Sequence, residues 1–341
     1  MEQESKKTSL AGKILRYVVP LVISVGLCYV LFTGIDFQAM MDIIRNQCNF
    51  WWIALAMVIA VLSHVFRAFR WGIQLEALGI HAPVKALVYS IFGTYAVNLV
   101  FPRLGEVWRT GYVAQRQDAP FSTVFGSMVA DRLADTVTVL LLTFVTFLLA
   151  RPTIVSFLNE NGDSYAAIAR VLESPWLWAA AVAAVALLWL LLAVKTSNKA
   201  IRKFQEFMKG LWEGFAVIVR MPGKGRWLLL TVGVWGCYFL QMYAAFYAFP
   251  FTADVVEHYG ALAALVTFVL SSIAMGVPSN GGIGPWQWAV MFALGIYGIG
   301  RTESSAFANL VLGCNTLLII ILGIFTFVAI ALDKKKIKKT T

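Results

Sequence analysis

The chain has 341 residues, of which 60% are hydrophobic and 13% charged, and its formal net charge is +10. Soluble domains have about half their residues apolar and about a quarter charged, so this composition excludes a soluble enzyme. The basic residues flank apolar runs, which is typical of cytoplasmic anchors of membrane helices and argues against a nucleic-acid partner.

Six apolar runs approach the ~20 residues that a helix needs to cross a bilayer. They cover residues 15–32, 50–66, 121–150, 176–194, 227–249 and 305–332. Six crossings return the chain to its starting side, and basic residues at both ends place both termini in the cytoplasm by the positive-inside rule. The sequence therefore predicts an all-α, multi-pass protein of the bacterial inner membrane.

Proline and glycine interrupt two further apolar segments, 85–101 and 259–277. Such breaks are tolerated at membrane depth where protein or water satisfies the backbone, and opposed broken helices are typical of transporters. With six spans fixing the topology, we predict two re-entrant helix hairpins, 85–118 from the cytoplasmic side and 259–299 from the outside. The residues that break the helices are Pro102, Gly105, Pro278, Gly281, Gly282 and Gly284.

Two basic segments are predicted to lie on the cytoplasmic face. Segment 198–221 has apolar residues at three- and four-residue steps and basic residues elsewhere, so we expect an amphipathic helix on the anionic leaflet. A linker helix that packs on the bundle explains this pattern equally well. Residues 333–341 are predicted to form a basic cytoplasmic tail.

The first break carries Arg103, Glu106 and Arg109 in the expected wall of the bundle. Ionisable residues inside a membrane are costly and usually functional. Glu106 and Arg109 are three residues apart, so a helix would allow them to pair. The alternative is a cytoplasmic loop with ordinary surface charges.

A second charged group, formed by Asp131, Arg132 and Asp135, lies in the third span. Arg132 is roughly 16 Å from the start of that span at ~1.5 Å per residue, about half the hydrocarbon thickness. This depth favours burial, although a tilted helix or a thinned bilayer would return the charges to the interface. Arg132 and Asp135 share a helix face.

Together, the two charged groups contain three arginines and three acidic residues, so their formal charges balance. The set is either a structural ion-pair network or a phosphate site, because arginines beside freed backbone N–H groups bind phosphate. By contrast, His64, Arg67 and Arg70 near the end of the second span are interpreted as interface anchors. The cysteines and histidines lack the spacing of a metal site, so we predict no metal and no cofactor.

Taken in order, these motifs resemble the lysylphosphatidylglycerol synthase transmembrane (flippase-like) family. They are Asn98…Pro102-Arg103-x-Gly105-Glu106-x-x-Arg109, then Arg132-x-x-Asp135, then Pro278…Gly281-Gly282-x-Gly284. The resemblance covers most of the chain and implies a membrane domain that moves modified phospholipid between leaflets. The chain ends soon after its last span, so we expect a stand-alone membrane domain without the soluble aminoacyltransferase, and hence no lysyl transfer.

One position departs from the family pattern. A glutamate is expected after the glycine motif, and this chain has Gln287 there. The glutamine argues against a proton- or cation-coupling role for this position. We expect its side chain to make a polar contact instead.

The leading hypothesis is a flippase-like transporter of a phospholipid or a polyprenyl-phosphate-type lipid. The rivals are an integral-membrane enzyme acting on a lipid-phosphate headgroup and a non-transporting envelope scaffold. Membrane phospholipids or other anionic lipids are the expected partners, and a lipid-synthesis enzyme is a candidate protein partner. The predicted headgroup contacts are Arg103, Arg109, Arg132 and Asn98, with Glu106, Asp131 and Asp135 as supporting carboxylates.

Overall fold

The computed structural model describes residues 36–160 and 220–340 except 278, together with isolated positions between 174 and 205. Side chains are described as far as 157 in the first range and 333 in the second. The chain divides into two compact units. Met1–Phe125 with Gly225–Thr341 form the first unit, and Gly126–Lys224 form the second.

Every continuous element in the described ranges is an α-helix, so the predicted all-α fold is confirmed. In chain order the helices are α1 (Phe37–Gln47), α2 (Phe50–Glu76), α3 (Val84–Val100), α4 (Leu104–Arg116), α5 (Phe121–Glu160), α6 (Lys224–Phe246), α7 (Pro250–Tyr259), α8 (Ala261–Ala274), α9 (Pro285–Ile296) and α10 (Arg301–Thr340).

Four of these helices, α2, α5, α6 and α10, are long and apolar enough to cross a membrane. A fifth candidate span consists of α7 and α8, which are bent by 112° where they meet. The predicted run 15–32, most of 176–194 and nearly all of the amphipathic segment 198–221 lie outside the described residues. The chain is therefore a multi-pass membrane protein, and the count of six spans stays a prediction.

The end of α2, the start of α3, the end of α4 and the start of α5 meet at one end of the first unit, called the α2 end below. Their core residues there include Leu75, Leu87, Val113 and Val124. Asp333 of α10 lies at the same end, where it pairs with Lys85 of α3 at 3.1 Å and with Arg116 of α4 at 3.6 Å. Because α3 starts and α4 ends together, they form a helix hairpin.

A second hairpin, α8 with α9, opens at the opposite end of the first unit. The rings of Tyr259, before α8, and Tyr297, after α9, lie 4.9 Å apart. The start of α10 follows, and its Phe307 packs on Phe246 at the end of α6, with 5.4 Å between ring centroids. Since α10 starts here and reaches the α2 end at Asp333, the two hairpins point toward each other. Their orientation relative to a membrane stays a prediction.

Candidate functional site

The first helix break is a capped turn built around Asn98. Its side-chain oxygen accepts a hydrogen bond of 2.8 Å from the N–H of Gly105, and its amide nitrogen donates to the carboxylate of Glu106 at 3.2 Å. Gly105 lies in the first turn of α4, whose N–H groups have no partner inside the helix. A β-carbon at Gly105 would overlap the carbonyl oxygen of Thr94, so only glycine allows α3 and α4 to approach this closely.

Between the two helices the chain turns at Arg103, which adopts the left-handed conformation (φ 65°, ψ 0°). Few residues other than glycine adopt this conformation. Pro102, just before it, has no N–H with which to continue α3. The left-handed residue directs the chain into α4, so the break predicted from Pro102 and Gly105 has a defined geometry.

The second helix break depends on three glycines with positive φ: Gly281 at 61°, Gly282 at 85° and Gly284 at 93°. A β-carbon at Gly282 would also overlap the sulfur of Met275. The predicted need for glycine in this turn therefore has a clear conformational cause. Pro278 lies outside the described residues.

Gln287 joins the second break to α10. Its side-chain oxygen accepts from the N–H of Gly284 at 2.9 Å, which caps the start of α9, and its amide nitrogen donates to the side-chain oxygen of Asn309. Asn309 in turn donates to the carbonyl and the hydroxyl of Ser305, each at 2.9 Å. The polar contact expected at Gln287 is thus a structural one, which fixes the turn against its neighbouring helix.

The tips of the two hairpins touch inside the first unit. The guanidinium of Arg103 donates to the carbonyl oxygen of Gly276, just beyond α8, at 3.1 Å. On the neighbouring side, a β-carbon at Gly281 would lie 2.6 Å from the side chain of Leu99. We call this contact, formed by Leu99, Arg103, Gly276 and Gly281, the tip junction.

The other two charged residues of the first motif have separate partners. Glu106 is held by Asn98, whereas the guanidinium of Arg109 lies 4.3 Å from the ring centroid of Trp71. Arg109 and Trp71 are both fully buried, and this distance is typical of a cation–π contact. Glu106 and Arg109 thus contact different helices, Glu106 through Asn98 of α3 and Arg109 through Trp71 of α2.

The interpretation of His64, Arg67 and Arg70 as interface anchors is wrong. α2 continues to Glu76, and these side chains are 6%, 3% and 0% exposed. Arg67 donates to the hydroxyl of Tyr238 at 3.3 Å. Together with neighbours on the same face, they form a set that we call the α2 stripe: Ser63, His64, Arg67, Arg70, Trp71 and Gln74.

The spacing of the α2 stripe could have revealed it. Polar residues at steps of three and four share one helix face, whereas anchors at a membrane surface need no such periodicity. The hydropathy pattern predicts a span that ends at Phe66, because the charges that follow resemble a membrane boundary. A charged helix face directed into a bundle has the same local composition.

The charged group of α5 belongs to the second unit. One guanidinium nitrogen of Arg132 lies 3.4 Å from a carboxylate oxygen of Asp131 and 3.4 Å from one of Asp135. Asp131 is fully buried, whereas 34% of the Arg132 side chain is exposed. The shared face predicted for Arg132 and Asp135 is confirmed by this ion pair.

Two curated relatives share segments of this chain. The Glycosyltransferase AglD of Haloferax volcanii is 34% identical over 88 residues, which are 26% of this chain and 14% of that protein. A UPF0104 membrane protein of Methanocaldococcus jannaschii is 24% identical over 127 residues, which are 36% of this chain and 38% of that protein. The matches thus span well under half of either relative. No solved structure matches the chain.

The family assignment rests on a longer match. Residues 17–323 match the family described as Lysylphosphatidylglycerol synthase TM region. The match includes both helix breaks, the α2 stripe and the charged group of α5. The chain therefore belongs to the lysylphosphatidylglycerol synthase transmembrane family.

Proposed function

We propose that this protein is a flippase-type lipid transporter, which moves a phospholipid or a polyprenyl-phosphate-type lipid between the leaflets of the bacterial inner membrane. Both termini would lie in the cytoplasm. The observation that carries the proposal is the meeting of two opposed helix breaks at the hydrogen bond from Arg103 to Gly276. A polar junction between helix breaks of an apolar protein offers a headgroup a place to cross while the acyl chains stay in the bilayer.

The helix directions at the tip junction favour an anionic headgroup. α4 begins at Leu104 and α9 begins at Pro285, so the second helix of each hairpin starts at its own break. Helix N-termini carry partial positive charge and attract anions. In transporters with broken helices, such N-termini point at the anionic groups of the substrate. A lipid phosphate fits this chemistry.

Arg103 is the residue that we assign to the phosphate. Its side chain is exposed, and a guanidinium has five N–H donors in a fixed fork. The single bond to Gly276 engages one guanidinium nitrogen, so a phosphate can bind the same group bidentately. Asn98 and Glu106 would hold the turn that presents Arg103.

The remaining predicted contacts take different roles. The burial of Arg109 against Trp71 favours a positioning role, in which it fixes α4 against α2. Arg132, partly exposed beside two carboxylates, is proposed as a second phosphate contact within the second unit. Its carboxylates would keep the guanidinium oriented while no lipid is bound.

The test uses purified protein in liposomes that contain a fluorescent phosphatidylglycerol. Accessibility of the dye to an added quencher reports exchange between the leaflets. Arg103→Ala removes a charge-assisted hydrogen bond worth about 1.5–3 kcal/mol, so we expect exchange to slow about ten- to a hundred-fold. Arg116→Ala is the matched control, because Arg116 lies at the far end of α4, the helix that follows Arg103, and pairs with Asp333 at the α2 end.

Three outcomes separate the hypotheses. Exchange that depends on Arg103 but not on Arg116 supports a transporter. A covalently changed lipid would instead identify an integral-membrane enzyme. If neither lipid exchange nor a covalent product is found with a range of phospholipids and a polyprenyl phosphate, the scaffold hypothesis remains.

A further inference from the structure

Arg103 is an exposed cation that has no acidic partner within the described part of the chain. Its side chain is exposed on the first unit, and its hydrogen bond goes to the carbonyl oxygen of Gly276. Glu106, the acid nearest in sequence, bonds to Asn98 instead. A carbonyl carries a partial charge, so this bond leaves the formal charge of the guanidinium unbalanced. The tip junction therefore presents a positive charge at the surface.

The tip junction lies far from both ends of the first unit. α3 leads to it from the α2 end over 17 residues, and α8 leads to it from the opposite end over 14 residues. At ~1.5 Å per residue these helices are roughly 20–25 Å long. The hydrocarbon core of a bilayer is ~30 Å thick, so a point this far from each end lies within it. An exposed guanidinium is costly at this depth, and an anionic ligand would lower the cost.

Exposed apolar side chains flank the tip junction on both hairpins. They are Val100 and Phe101 at the end of α3, and Met275 and Val277 just beyond α8, with exposed fractions of 63%, 48%, 47% and 38%. We call these four side chains the junction rim. Because Arg103 bonds to Gly276, which lies between the last two of them, one guanidinium has apolar surface on either side.

A cation between apolar side chains matches the chemistry of an anionic lipid. A free phosphate would bind the guanidinium but would gain nothing from the junction rim. A lipid gains the ionic contact through its phosphate and the apolar contact through its chains. Exposed apolar surface marks sites that contact a membrane, a ligand or a protein, and the unbalanced charge of Arg103 selects an anionic lipid among them.

We propose that Arg103 and the junction rim form a docking surface for an intact anionic lipid, which reaches the tip junction sideways from the bilayer. Its phosphate binds the guanidinium, and its acyl or prenyl chains lie along the rim. The docking surface deepens the proposed function, on which it rests for the later movement of the lipid. Docking itself depends on the exposed surface alone, so binding can be tested apart from exchange.

A photoreactive side chain reports which lipid lies beside each position. The amino acid p-benzoylphenylalanine is placed at Val100 or at Val277, one from each hairpin. Val232 of α6 is the matched control position, because it is also 63% exposed and has no charged residue within five positions in sequence. Each protein is reconstituted in nanodiscs with equal amounts of phosphatidylglycerol and phosphatidylcholine that have identical acyl chains. After irradiation, mass spectrometry measures the adducts of the two lipids.

We expect the ratio of phosphatidylglycerol to phosphatidylcholine adducts to be about five-fold higher at Val100 and Val277 than at Val232, since one basic side chain favours an anionic lipid by about that factor. Arg103→Ala should lower the ratio at the rim to that at Val232, whereas Arg103→Lys keeps the charge and should retain part of the excess. Arg116→Ala should leave the ratio unchanged, because Arg116 pairs with Asp333 at the α2 end. Fragmentation of the adducts should place the new bond on an acyl chain.

Equal ratios at the three probe positions would overturn the docking surface, and so would an excess at the rim that survives Arg103→Ala. Adducts bonded to the glycerol headgroup would overturn the placement of the chains. A covalent dimer would assign the rim to a contact between two copies of the chain. Size-exclusion profiles show whether each variant is folded, and the comparison of Val100 with Val232 requires no change at Arg103.

The outcomes for docking and for transport are separable. An excess of phosphatidylglycerol at the rim that depends on Arg103, in a protein that exchanges no lipid, would keep the docking surface and reject the proposed function. Lipid exchange with equal adduct ratios would keep the proposed function and reject the docking surface.

Discussion

Asn98 donates a hydrogen bond of 3.2 Å to the carboxylate of Glu106, across the break between α3 and α4. The same amide accepts from the N–H of Gly105. One side chain thus uses its donor and its acceptor to fix the first turn of α4, and with it the direction in which Arg103 leaves the backbone.

The hydrogen bond between Asn98 and Glu106 can be tested by a compensating double substitution. Asn98→Asp keeps the acceptor for Gly105 but sets a carboxylate against Glu106, which should lower the free energy of unfolding by about 1–3 kcal/mol. The double change Asn98→Asp with Glu106→Gln restores a donor opposite an acceptor and should recover most of the loss. Thermal unfolding of the purified variants measures both effects. A double variant no more stable than Asn98→Asp alone would show that this bond does not hold the turn.

The second break predicts a strict need for glycine. Gly282→Val places a β-branched residue at a φ of 85° and against Met275, so activity in the liposome assay should be lost. Gly236→Val is the matched control, because a β-carbon at Gly236, within α6, meets nothing within 4 Å. Expression and size-exclusion profiles separate a lost activity from a lost fold. Normal exchange by Gly282→Val would mean that the turn plays no part in transport.

The ion pair of α5 allows a charge swap that distinguishes structure from binding. Arg132→Ala leaves Asp131 and Asp135 without this cation. Since 34% of the Arg132 side chain is exposed, the cost should fall below the ~3–5 kcal/mol of a fully buried pair. Arg132→Asp with Asp135→Arg keeps the charge balance and the helical spacing, so stability should recover.

Lipid exchange should not recover in the same double swap. Moving the guanidinium by three residues shifts it roughly 4.5 Å along the helix axis, which misplaces a bidentate phosphate contact. Exchange rates of the two variants in liposomes measure this. Wild-type stability together with wild-type exchange would leave Arg132 with a structural role alone.

The opposed hairpins predict a topology that thiol labelling can check. In intact cells, Asp254→Cys should react with an impermeant maleimide added outside, whereas His81→Cys should react only after the membrane is opened. Gly162→Cys should behave like Asp254→Cys if the chain crosses six times. Labelling of His81→Cys from outside would reverse the assigned orientation.

The native Cys48, between α1 and α2, should add little background to that experiment. Burial, and to a smaller extent the nearby Cys314, raises the pKa of the Cys48 thiol to about 11. Maleimide reacts with the thiolate, and a raised pKa lowers the thiolate fraction at neutral pH. Background labelling should therefore increase as the pH is raised toward that value, which can be measured on the unsubstituted chain.

Sequence reasoning found both helix breaks because their signals are local. Proline without an N–H and glycines that accept positive φ act on the backbone within a few residues. Hydropathy predicts the wrong end for α2, because it stops the span at Phe66 although the helix continues to Glu76. A run of charges looks the same whether it faces water beyond a span or the interior of a bundle.

By itself, the sequence determined that this is an all-helical membrane protein with two interrupted segments, because apolar length and backbone chemistry are properties of short stretches. Only the tertiary structure decided which groups meet. Arg103 bonds to Gly276, 173 residues away, and Arg67 bonds to Tyr238, 171 residues away. Such pairs are set by the packing of helices far apart in the chain, and periodicity within one helix carries no information about its partner.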